Sequence, residues 1–160
     1  MNFRTNVIPE DIKHVRSITE STKFFYDHEV DVAVSLVEEA LKDGEEALYH
    51  FLFVEDNNKT IGYTSYGEIP CTKGRYDVYW IVVSDEYRGK GIGKLLLKET
   101  ENQIIILGGE IAYLETSSQE KYIPTCKFYE NLLYHKEAVI KDFYTNDDDK
   151  IIYSKRLQKI

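Results

Sequence analysis

The sequence predicts a mixed α/β fold, a sheet of parallel and antiparallel strands with helices on its faces. Three observations carry that expectation. Segments of helical and strand periodicity alternate in the order β-α-α-β-β-β-α-β-α-β-β. One run, residues 76–83, is nearly continuous in aromatic and β-branched residues, as in a central strand covered on both faces. That run feeds a glycine-rich loop that opens a helix.

The elements follow in order. Residues 3–7 read as a short first strand. Residues 9–20 read as a helix, with Pro9 early, acids at the N-terminal end and Ile12, Val15 and Ile18 on one side. A second helix runs from Asp27 or His28 to Lys42. Val30, Val34, Val37 and Leu41 recur in it at helical spacing, and Gly44 lies just past its end. Strands at 47–55 and 60–68 are joined by Asp56-Asn57-Asn58-Lys59, which is hairpin-turn chemistry. After Pro70-Cys71-Thr72-Lys73-Gly74 come the 76–83 strand, the glycine loop and a helix to about Leu107, stopped by Gly108-Gly109. Residues 111–116 form a strand and 123–132 a short helix with Pro124 early in it. Residues 134–144 and 150–156 form a closing hairpin across Asn146-Asp147-Asp148-Asp149. No repeat or linker interrupts the 160 residues, so residues 1–160 read as one domain.

Composition narrows the function. The chain is 42% hydrophobic and 30% charged, as in a soluble globular protein with a sizeable core. Its net charge of −8 argues against nucleic acid or an anionic membrane as the main partner. No apolar run has signal-peptide character or membrane-spanning length, which predicts a cytoplasmic protein. Cys71 and Cys126 make no disulfide framework, and four scattered histidines show no ligand spacing, so no metal is expected.

The stretch Tyr87-Arg88-Gly89-Lys90-Gly91-Ile92-Gly93-Lys94 carries the chemistry. It is not a P-loop: Gly93-Lys94 is followed by Leu95, and Arg88 stands where the first glycine belongs. It is not the dinucleotide fingerprint either, because Lys94 occupies the third glycine position. The physics of both motifs still applies. A helix start has unpaired N–H groups and a partial positive charge, and glycine lets a ligand approach the backbone. Arg88, Lys90, Lys94 and Lys98 add charge with no acid among them. A phosphate or pyrophosphate site is expected. The plainer reading is a surface turn before an amphipathic helix.

Arg88-Gly89-Lys90-Gly91-Ile92-Gly93 resembles the R/Q-x-x-G-x-G/A motif of the GNAT superfamily of N-acetyltransferases. Trp80-Ile81-Val82-Val83 reads like that family's fourth strand, and Lys94-Leu95-Leu96-Leu97 like its third helix. Residues 124–134 resemble its "RAIRLYEKLGF"-type segment, and the element order is the family's. Three positions depart from the pattern. Asp85 stands where a proline is common, Tyr122 where an asparagine often precedes the fourth helix, and Leu133 replaces a common glycine.

The resemblance implies a GNAT fold and acetyl-CoA as the cofactor. It implies that the pyrophosphate sits on the backbone of Arg88, Gly89, Lys90, Gly91, Ile92, Gly93 and Lys94, with Tyr122 a further cofactor contact. It implies that backbone N–H groups around Ile81, Val82 and Val83, where the fourth and fifth strands splay, polarise the thioester carbonyl. Tyr129 falls at the general-acid position. A tyrosine of pKa about 10 can protonate a thiolate of pKa about 8.5. The other reading of Tyr129 is packing on a helix face with Phe128 and Leu132.

The attacking amine must be neutral, so a carboxylate is needed to take its proton. Asp77 and Glu115 are the candidates, as acids inside otherwise apolar strands. Against that, Asp77 could lie at a solvated strand end and Glu115 could pair with a lysine. For the acceptor, the family uses the first two helices and the loops around strands three to five. Phe24, Phe25, Tyr26 and Tyr79 are the candidate pocket wall, or else core. The expected function is acetyl transfer from acetyl-CoA to a primary amine of a small molecule by direct attack, by a monomer or homodimer. The alternatives are transfer to a protein N-terminus or lysine, and a non-catalytic acyl-CoA-binding module.

Overall fold

In the computed structural model, which describes residues 1–158 and Glu45 by its backbone alone, strands and helices appear in the predicted order. They are β1 (Asn2–Arg4), α1 (Asp11–Ser21), α2 (Asp27–Asp43), β2 (His50–Asp56), β3 (Lys59–Glu68), β4 (Arg75–Val83), α3 (Ile92–Ile106), β5 (Ile111–Ser117), α4 (Ile123–Asn131), β6 (His135–Thr145) and β7 (Asp148–Arg156). The chain divides into two units, residues 1–67 with 78–102, and residues 68–77 with 103–160.

In the first unit the strand order is β1-β2-β3-β4. The β2–β3 hairpin turns through Asn57 and Asn58 at φ 48° and 62°. Two successive positive φ angles are what a two-residue hairpin needs, and Asn tolerates them. Val15, Ile18, Ala33, Val34, Val37 and Ala40 of α1 and α2 pack on Phe51, Phe53, Tyr63 and Val82 of the strands. Each valine, isoleucine or phenylalanine among them, fully buried, contributes about 1.5–3 kcal/mol. Two pairs of buried hydroxyls are matched: Tyr63 Oη lies 2.7 Å from Thr19 Oγ1, and Thr64 Oγ1 lies 2.7 Å from Thr100 Oγ1 on α3, while the buried Ser65 Oγ has no hydrogen-bond partner among the described residues.

β1 and α1 are shorter at one end than the sequence suggests, and one ion pair explains both. Asp11 is fully buried and takes Arg4 Nη1 and Nη2 at 2.9 and 2.8 Å and the Ile8 N–H at 2.9 Å. The chain therefore leaves β1 at Arg4 and enters α1 at Asp11, with Pro9 in the turn before it. Burial alone would raise the Asp11 carboxyl, but the hydrogen bonds from Arg4, Ile8 and His14 outweigh it and hold it below its ordinary value. Arg4→Met is expected to cost about 3 kcal/mol, because it strands a buried carboxylate. The urea midpoint at pH 7 measures this. A depressed carboxyl stabilises the fold above its unfolded pKa, and that contribution is lost as pH falls through its folded value. The difference between wild type and Arg4→Met should therefore shrink in acid.

In the second unit the order is β4-β5-β7-β6. β4 pairs parallel with β5 from Arg75↔Ile111 to Asp77↔Tyr113. β7 runs antiparallel to β5 from Ile111↔Arg156 to Ser117↔Lys150, and β6 pairs antiparallel on its other side. Tyr76, Ala112, Leu114, Tyr129, Tyr134 and Tyr153 are buried. Gly109 is required by contact: a Cβ there would sit 2.2 Å from Ile104 Cγ2 and 2.9 Å from Tyr76 Cδ2. β7 starts two residues earlier than expected. Asp148 is buried and bonded to Ser117 Oγ and Gln119 Nε2, so it belongs to the strand and only Asn146 and Asp147 turn. Leu133, where the family commonly has glycine, adopts φ 66° with 70% of its surface exposed. The left-handed turn is kept without the glycine, at a cost of about 1 kcal/mol.

β4 corrects one expectation. It pairs on both edges, as a central strand should, but it is not covered on both faces. Tyr76, Val78 and Val82 are buried. The alternate face carries half-buried Asp77, Ile81 and Val83 and a Tyr79 that is 40% exposed. Aromatic and β-branched content reports strand formation and says little about which face is filled.

Candidate active site

The glycine loop follows β4 in the first unit. Val83 ends the strand, and the Ser84 N–H donates to Ile61 O at 2.8 Å. A single 3-10 turn, Asp85–Tyr87, occupies the position where the family often has proline. Gly89 and Gly91 take φ 72° and 78°, and no heavy atom lies within 4 Å of where either Cβ would be. Residues with a side chain rarely adopt such angles. The first helical bond of α3 on this side is the Leu95 N–H to Gly91 O, at 3.2 Å. Among the described residues, no backbone N–H from Gly89 to Lys94 donates to a backbone carbonyl.

Ile92 is buried and anchors the loop, while Arg88, Gly89, Lys90, Gly91 and Lys94 are exposed. Lys90 Nζ lies over the Tyr87 ring at 4.9 Å, and Arg88 Nη1 is 3.4 Å from Asp85 Oδ1. The first turn of α3 has no acid. Unpaired amides on an open loop at a basic helix start fit the pyrophosphate of coenzyme A.

The predicted pocket wall divides. Phe24 packs edge-on against Phe25, and Phe25 against Trp80, each at 5.1 Å between ring centroids. Phe25 and Trp80 also line the hydrophobic core. Tyr26 is 65% exposed and stacks on His28. Tyr79 meets Tyr49 edge-on at 5.3 Å, a pairing that sequence reading missed. Tyr49 lies within the strand expected over residues 47–55 but stands just before β2, which begins at His50, and strand periodicity alone does not point to its partner.

The acid and base candidates lie in the second unit. Tyr129, on α4, is buried, with Tyr153 at 5.6 Å and Phe128 at 5.7 Å between ring centroids. Burial, with Cys126 and Tyr122 beside it, pushes its phenol up, so it keeps its proton across the neutral range. No residue among those described hydrogen-bonds its hydroxyl. Tyr122 precedes α4 as its N-terminal flanking residue, under the Lys121 ammonium.

Asp77 and Glu115 come together. Asp77 pairs with Tyr113 across β4–β5, and Glu115 is two residues further along β5, on the same face as Tyr113. Burial, with Glu115 adding to it and Lys150 opposing it, pushes the Asp77 carboxyl up to about 6. Glu115 pairs with Lys150 Nζ at 2.7 Å. Sequence reading anticipated a lysine partner for Glu115 without identifying it. β7 supplies it through the Ser117↔Lys150 register, which local patterning does not reveal.

The first unit thus presents an anion cradle at a strand–loop–helix junction, and the second a tyrosine that keeps its proton and a carboxyl raised by burial. Residues 13–133 match the Acetyltransferase (GNAT) family, and the chain belongs to it. A GNAT-family protein from Desulfovibrio desulfuricans is 43% identical over 98% of this chain and 99% of that one, with a TM-score of 0.96. An aminoglycoside 6'-N-acetyltransferase complexed with coenzyme A shares the fold at 17% identity, over 100% of this chain and 99% of that one, with a TM-score of 0.77. The ribosomal-protein-S18-alanine N-acetyltransferase from Escherichia coli does so at 16% identity, over 99% of this chain and 95% of that one, with a TM-score of 0.75. A search of curated proteins finds no match. The chain is thus an acetyl-CoA-dependent N-acetyltransferase with a mixed α/β GNAT fold. Among the described residues, no helix is long and apolar enough to cross a membrane.

Proposed function

We propose that this enzyme acetylates the primary amine of a small molecule by direct attack, working as a single domain in the cytoplasm. Acetyl-CoA supplies an acyl thioester. The amides of residues 89–94 hold its pyrophosphate, with Arg88, whose own N–H is taken by Asp85 O, alongside and Tyr122 as a further contact. N–H groups of residues 81–83 donate to the carbonyl oxygen. Asp77 takes the proton of the acceptor ammonium, and the Tyr129 hydroxyl gives its proton to the departing sulfur. Tyr26 and Tyr79 wall the acceptor, backed by Phe24 and Phe25.

The observation that carries this reading is the half-buried Asp77 carboxylate on the open face of β4, which no hydrogen bond or ion pair engages among the described residues, two residues from exposed Tyr79. A carboxylate there attracts a cationic amine and accepts its proton, and the aromatic ring adds a cation–π surface. Free Cys71 and Cys126 agree with a reducing compartment. The test is amine-dependent release of coenzyme A thiol across a panel of small amines and N-terminal peptides. Turnover with peptides alone would overturn the small-molecule reading.

Asp77→Asn separates catalysis from stability. Activity of the wild type should rise with pH through about 6, as the carboxylate ionises, and then level off. The variant should lose that limb and about 100-fold or more in kcat/KM. It should also be more stable. A carboxyl whose folded pKa is raised loses stability as pH rises from its unfolded to its folded value. Removing the charge should therefore add about 1–2 kcal/mol at pH 7, discounted for solvent screening. Below pH about 4 the gain should vanish. Urea denaturation at the two pH values reads it.

A further inference from the structure

Lys150 has no part in the reaction as described above, yet it is a largely buried cation on this face of the second unit. Its side chain is only 15% exposed. The ammonium sits 2.7 Å from Glu115 Oε2 and 4.3 Å from the centroid of the Phe143 ring. Two registers fix it there. β4–β5 sets Asp77 opposite Tyr113, two residues before Glu115, and β5–β7 sets Lys150 opposite Ser117, two residues after it. Side chains two apart on a strand share a face. Phe143 comes from β6, so three strands hold one ammonium. Among the described residues, no hydrogen bond or ion pair engages the Asp77 carboxylate.

We propose that Lys150 is a positioning residue for proton transfer from the acceptor amine: it fixes Glu115 in an ion pair and leaves Asp77 as a carboxylate of that face that no described residue pairs. Two neighbouring carboxylates without a cation would compete for one proton, and neither would be a defined base. With Lys150 in place, Glu115 is held in the ion pair, and the incoming ammonium loses its proton to an Asp77 oxygen. The groups facing this centre are Glu115 and Tyr113 from β5, Lys150 and Asp148 from β7, and Tyr144 from β6. Tyr144 has its phenol raised by burial and by Glu115 and Asp148, so it stays neutral and does not compete as a base.

The inference rests on the reading of Asp77 as base, and the test separates the two. Carboxyl-detected carbon-13 NMR of the full chain follows the Asp77 side chain through pH, its signal assigned by its loss in Asp77→Asn. The wild-type midpoint is expected near 6. Lys150→Met should move it up by about one pH unit, Lys150→Arg should leave it in place, and Glu115→Gln should move it down. A merely structural lysine would move the urea midpoint and leave the Asp77 titration where it was. An unmoved Asp77 midpoint in Lys150→Met overturns the proposal. Should Lys150→Met fail to fold, an unmoved midpoint in Glu115→Gln does the same. If the midpoints move as expected but Asp77→Asn keeps the wild-type pH–rate profile, the base reading falls instead.

Discussion

Gly91→Glu is expected to weaken acetyl-CoA binding by about 100-fold or more, close to 3 kcal/mol. Two effects add. Gly91 sits at φ 78°, where a side chain costs about 1 kcal/mol of local strain and shifts the loop. On the proposed reading the new carboxylate also lies among the amides that receive the pyrophosphate, and it would repel it. Nothing within 4 Å of the built Cβ would clash, so the fold should survive with little change in its urea midpoint. Titration calorimetry with acetyl-CoA measures the loss. If the loop were only a surface turn, binding would be unchanged.

Tyr129→Phe should lower kcat by about 100-fold or more and leave the affinity for acetyl-CoA within a few-fold. The ring contacts with Tyr153, Tyr134 and Phe128 are kept by phenylalanine, so only the hydroxyl is lost. Its raised pKa means that wild-type Tyr129 holds its proton at every pH of the assay. On the proposed reading it donates when sulfur departs and is restored by solvent. A packing role predicts the reverse pattern, with kcat intact and stability lowered. Steady-state kinetics paired with a urea curve distinguishes the two.

The contrast between these residues shows what a sequence discloses. The α2 periodicity of Val30, Val34 and Val37, the paired asparagines of the β2–β3 turn and the glycine loop are local signals, and each appears where local chemistry put it. The Arg4–Asp11 pair is different. It ends one element and starts the next through a contact that no periodicity encodes. The open face of β4 depends on what does not pack there, which composition cannot report. Asp77 and Glu115 were legible as acids in apolar strands. Lys150, which decides how they share charge, is one lysine among ordinary surface residues until β7 pairs between β5 and β6. Tyr129 was legible through resemblance to a family, since its helix face alone reads as packing.

The most direct measurement is mass detection of an acetylated amine after incubating the enzyme with acetyl-CoA and small amines or N-terminal peptides, with wild type and Asp77→Asn side by side. The account predicts an acetylated small amine, formed by the wild type at a rate rising through pH about 6 and nearly absent with the variant. Equal product from both proteins, or product on peptides alone, would contradict it.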